Sequence, residues 1–226
     1  MKKITKYAIF NYSKEDEDLI NELESYLNNK AESIFDFFDS SIERELVTIN
    51  LIPTKKEYDE ICKKRRGIDK IPSWSIGNSH DNVIEYVSLH DYKNTAHAFD
   101  ESKYNEELEY YKKTIVHEFV HFVSGLYLDK YNLDHPIHCL SEGLASYLSG
   151  QKEGVEETVN FSLVDLFESN SNYYSWYVMT KFIIDNYGKD YFIKLYSSKE
   201  LSYKEIPRLY EEAKEYYKKE SLKRNL

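Results

Sequence analysis

The stretch TIVHEFVHFVSG, residues 114–125, limits the fold more than any other part of this chain. Ile115, Val116, Phe119, Val120, Phe122 and Val123 make it apolar on nearly every side, so the helix they predict is buried. Yet His117, Glu118 and His121 stand in its middle. An unpaired carboxylate or imidazole is costly to bury, and such groups are normally hydrogen-bonded, paired or bound to a metal. A plain helix with polar residues on its wet face would not be surrounded in this way.

Helical spacing gives a chemical reading. Residues i and i+4 share a face, so His117 and His121 point the same way and can hold one ion. Glu118 is one step round, beside the ion but not in line with both imidazoles. That is the position of a general base acting on metal-held water. A zinc site of this kind needs a third protein ligand. Glu142, 21 residues after His121 in LSEGLASYLSG, is the candidate. Gly143 costs ~1 kcal/mol in a helix interior, and close approach to the first helix would explain it. His138, four residues before Glu142, is read as its partner or as a surface residue. His80, His90, His97 and His135 lie in polar or loop contexts and are read as surface.

The rest of the chain supplies a scaffold. KYAIFNY (6–12), LVTINLI (46–52) and NVIEYVSL (82–89) read as strands, and IPSWSIGN (71–78) as a loop. Ser13 with Asp16, Thr54 with Glu57, Ser162 with Asp165 and Ser202 with Glu205 are helix-start signals. Helices are expected over about 105–127, from Pro136 to Gly150, and from about Tyr174 to Gly188. The expected class is α+β within a single domain, 1–226. Residues 1–104 would form an α+β lobe with a small mixed sheet. Residues 105–226 would form a mainly helical lobe, with the active site in the cleft between the two.

Composition narrows the partners. A formal net charge of −10 gives no general electrostatic reason to bind nucleic acid or anionic membranes. Two cysteines, Cys62 and Cys139, lie in no metal-type spacing and make a disulfide framework unlikely. No run reaches the ~18 apolar residues of a membrane span. No secretory core follows the N-terminal lysines, so a cytoplasmic location is expected. The 22 tyrosines can fill a core or line a cleft with their hydroxyls wet.

His117-Glu118-Phe119-Val120-His121, followed by Ser141-Glu142-Gly143-Leu144-Ala145-Ser146-Tyr147, resembles the gluzincin metallopeptidases. The resemblance is closest to the small peptidase MA-like proteins and to the catalytic domain of the M1 aminopeptidases. It extends loosely over residues 33 to 197, and only the two metal motifs are specific. It implies a zincin-like fold, a Zn2+ ion on His117, His121 and Glu142, catalysis by Glu118, and a peptide or protein substrate. In that family a tyrosine at the start of a later helix hydrogen-bonds the tetrahedral intermediate. The match falls on Tyr173, with Tyr174 beside it, although Trp176 stands where the family has a small residue. The resemblance makes NVIEYVSL the edge strand, which would pair with an extended peptide. No G-x-M-E-N-like segment precedes HEFVH, so aminopeptidase specificity is not implied. A non-catalytic structural-zinc protein and a regulatory protease acting on one protein partner remain the alternatives.

Overall fold

A computed structural model describes residues 1–95, 103–168 and 172–224. His97 lies outside the described residues. The chain divides into two compact units, Met1–Gly125 and Leu126–Leu226. The division falls inside a helix rather than at residue 104.

The first unit is built on a five-stranded mixed sheet of order β1-β2-β3-β5-β4. Its strands are β1 (Lys2–Ile4), β2 (Ala8–Asn11), β3 (Val47–Ile52), β4 (Gly77–His80) and β5 (Val83–Val87). β2, β3 and β5 run parallel, while β1 and β4 are antiparallel edges. Strict alternation in VTINLI sends Val47, Ile49 and Leu51 to one face, and all three are buried. The register places Phe10 beside Ile49, and Ile84 and Tyr86 beside Ile49 and Leu51.

Helix α1 (Glu17–Phe38) buries Leu19, Ile20, Leu23, Leu27, Ala31, Ile34, Phe35 and Phe38, the stripe of an amphipathic helix. Phe35 packs edge-on against Phe119 of α3 (Tyr104–Tyr131), with ring centroids 6.0 Å apart. Tyr111 of α3 meets Tyr86 at 4.5 Å and donates to the Val87 carbonyl at 2.9 Å. Helix α2 (Lys55–Arg66) starts on the expected cap, with the Thr54 hydroxyl accepting from the Glu57 amide. It ends at Gly67, whose φ of 63° is the left-handed conformation that favours glycine. Its Arg65 and Arg66 reach Glu85, His80 and Asn78 on the sheet.

Three sequence expectations change here. β4 begins in the last two residues of the segment read as a loop, Gly77 and Asn78, and runs on to His80. β5 is paired on both sides, so NVIEYVSL is an inner strand and β4 is the edge. β1 is an added antiparallel edge strand ahead of KYAIFNY.

The second unit is helical. It contains α4 (His138–Ser149), α5 (Leu163–Glu168), α6 (Tyr173–Tyr187), α7 (Lys189–Tyr196) and α8 (Lys199–Arg224). Gly150 closes α4 at φ 74°. Trp176 of α6 is buried and donates from Nε1 to the Leu166 carbonyl at 2.9 Å. The last helix begins before Ser202, which was expected to cap it. Ser202 is fully buried inside α8, and its hydroxyl donates to the Leu195 carbonyl at 2.6 Å. Among the described residues, no helix is long and apolar enough to cross a membrane.

Candidate metal centre

The apolar run of α3 is buried as its composition demands. Ile115, Val116, Phe119, Val120, Phe122 and Val123 are each at most 2% exposed. His117 is buried among them, while Glu118 and His121 are half-buried. One helical turn brings the two imidazoles edge to face, and their Nε2 atoms are 3.2 Å apart.

That distance bears on metal binding. Two nitrogens held ~2.0–2.1 Å from a tetrahedral zinc lie roughly 3.3 Å apart. His117, His121 and Glu142 each offer one ligand atom, and these atoms all lie within 4.8 Å of one another. Two imidazole nitrogens and one carboxylate oxygen form a donor set that suits zinc. The group could hold a metal ion, and the three expected ligands are the three that come together.

Glu142 sits on α4 with 15% of its side chain exposed. His138 Nδ1 is 3.9 Å from its Oε1, too far for a hydrogen bond. The His138 ring is exposed and stands edge-on to Trp176, with centroids 4.9 Å apart. Gly143 is needed for close packing, but its neighbours belong to α6. A Cβ there would lie 2.3 Å from Thr180 Oγ1 and 2.5 Å from the Trp176 carbonyl oxygen. The close approach expected toward the first helix is thus made to α6.

The two tyrosines at the start of α6 differ. The Tyr174 hydroxyl is engaged with the 156–158 segment. It accepts from the Thr158 amide at 2.7 Å and lies 2.9 Å from the Glu156 carbonyl and 3.0 Å from that of Thr158. Tyr173 is half-buried and packs its ring on Trp176 at 5.2 Å.

Two features near Glu118 were not read from the sequence. Gly77 of β4 lies so close to α3 that a Cβ on it would be 3.3 Å from Glu118 Cγ and 2.7 Å from the Tyr86 ring. The Tyr58 hydroxyl, fully buried, donates to the Gly77 carbonyl at 2.8 Å and accepts from Ser75 Oγ at 3.0 Å. Burial pushes the Tyr58 phenol well above its usual range, and the nearby Glu118 charge adds to this. The lone glycine in WSIGN was a signal for close backbone approach. Nothing in the local sequence marked Tyr58.

Of the remaining histidines, His90 and His135 are exposed, as expected. His80 is not a free surface residue. It is half-buried, 3.2 Å from Arg65, and burial together with that charge lowers its pKa.

Compared with known proteins, the chain matches no family model, no curated protein and no solved structure.

Proposed function

We propose that this protein is a zinc-dependent metallopeptidase of the gluzincin type. The observation that carries the reading is the convergence of His117, His121 and Glu142 within 4.8 Å, with Glu118 on the same helix as the two histidines. Among the described residues this group has three protein donors. A closed structural zinc site has four, so three donors favour catalysis.

His117, His121 and Glu142 would hold the ion. When bound, zinc supplies Lewis acidity, lowering the pKa of a water it holds toward ~7. The chain's own groups do the rest. Glu118 takes the proton from the attacking water and returns it to the departing amine. The edge strand β4 passes beside Glu118 and offers main-chain groups to an extended substrate, so the scissile carbonyl is brought to the base. Tyr173 donates its hydroxyl to the developing oxyanion. Tyr174 is already bonded to residues 156–158 and is assigned to holding that segment.

The test is a peptide-library digest with purified, zinc-loaded protein, with and without a chelator. Cleavage that stops on chelation and returns with zinc supports the reading. Zinc bound at one per chain with no peptide cut would instead favour a structural-zinc protein, or a protease that accepts one folded partner.

A further inference from the structure

β4 is a very short edge. It pairs with β5 from Gly77 to His80, and the chain turns at Asp81, whose φ is 48°. The Val87 amide bonds the Ile76 carbonyl, which fixes the alternation of the antiparallel ladder. Asn78 and His80 therefore turn their main-chain groups toward β5. Gly77 and Ser79 turn theirs outward, where an added strand would pair.

Those two outward residues are not equivalent. The Gly77 carbonyl already accepts from Tyr58, at 2.8 Å. Tyr58 is fully buried on α2, and its hydroxyl is further fixed by Ser75 Oγ at 3.0 Å. Burial keeps the phenol protonated at any working pH, so it remains a donor. Among the described residues, no hydrogen bond outside the sheet engages the Ser79 amide or carbonyl.

We propose that Tyr58 is a specificity-determining residue that closes the edge strand at Gly77, leaving Ser79 as the one β4 residue able to make a complete main-chain pair with an extended peptide. The inference rests on the peptidase reading and deepens it. An open edge pairs with every second residue of a substrate strand. Here the substrate's own N–H groups would be read in full at a single residue, because the Tyr58 hydroxyl, 2.8 Å from the acceptor two places along, takes one of its lone pairs and competes with the substrate N–H for the approach to it. Selection among peptides then falls on side chains and on chain flexibility near the cut. The substrate class is a locally extended, unfolded segment gripped over a short length.

The experiment is an N-methyl scan of a cleaved peptide, in which each amide outside the scissile bond is methylated in turn. It is run on the wild type and on Tyr58→Phe. In the wild type, one position should be sensitive, with kcat/KM falling about three- to tenfold, the worth of one hydrogen bond. In Tyr58→Phe a second sensitive position should appear two residues away. A role in folding alone would lower all peptides equally and add no position. Two sensitive positions in the wild type, or an unchanged pattern in Tyr58→Phe, would overturn the assignment and leave the peptidase reading intact. If Tyr58→Phe does not fold, the number of sensitive positions in the wild type decides. If peptides bind without being cut, the same scan read as affinity decides, and only the peptidase reading falls. Neither cutting nor binding overturns both.

Discussion

The Nε2 atoms of His117 and His121 face each other across 3.2 Å, one turn apart on a buried helix. Two lone pairs at this distance repel unless a proton or a cation lies between them. With Glu142 as the third donor, His121→Ala and Glu142→Ala should each lose stoichiometric zinc by metal analysis. Retention of zinc at native affinity by either variant would remove that residue from the ligand set.

Gly143 holds α4 against α6 where a side chain has no room. Gly143→Ala gains ~1 kcal/mol of helix propensity but overpacks the contact, which typically costs about 1–3 kcal/mol. The clash with the Trp176 carbonyl cannot be relieved by trimming a side chain, so Thr180→Ala should not rescue the variant. Glu142 is the neighbouring residue, so zinc affinity should fall together with the melting temperature. Unchanged affinity would mean that α4 absorbs the methyl without moving its ligand.

Tyr173→Phe and Tyr174→Phe should fail in different assays. Tyr173→Phe should slow turnover by roughly 100-fold with little change in affinity, as expected for an oxyanion donor. Tyr174→Phe should leave turnover near normal. It should cost about 1 kcal/mol of stability, because Thr158 loses its partner. The reverse pattern would exchange the two roles.

Hydrogen bonds from Tyr7 first, then from Lys6 and Arg44, hold the Glu32 carboxyl at about 2 rather than near 4.5. The folded value lies below the unfolded one. The resulting stability is complete above about pH 4.5 and is lost as pH falls toward 2. Glu32 is 49% exposed, so solvent limits the effect to no more than about 1 kcal/mol. Glu32→Gln should flatten this part of the acid limb in a melting-temperature series. An unaltered limb would show that Glu32 contributes nothing to it.

What could be read from the sequence followed local rules. Thr54 and Glu57 form their cap, and the helix containing HEFVH is apolar and buried as its composition required. What could not be read depended on distant partners. GNSH carries no β-branched residue and looks like a turn. It becomes strand β4 because β5 pairs with it, a tertiary effect that overrides local preference. That error also placed the edge on the wrong strand. Ser202 looked like a cap, but the Leu195 carbonyl takes its hydroxyl and α8 begins earlier. The His117–His121 pair was legible because i, i+4 spacing is a helical rule, whereas Glu142, on a separate helix, was proposed from the need for a third donor. The Tyr58–Gly77 contact joins α2 to an edge strand 19 residues on, and no periodicity reports it.

In the proposed mechanism Glu118 moves protons without holding the metal. Glu118→Gln is nearly isosteric but cannot accept a proton from water. The most direct measurement is hydrolysis of a cleaved peptide by zinc-loaded Glu118→Gln, with zinc content and melting temperature recorded on the same sample. Wild-type zinc, a wild-type fold and a rate lower by about 100- to 10,000-fold are expected. A fully zinc-loaded Glu118→Gln protein that cuts as fast as the wild type would contradict the mechanism.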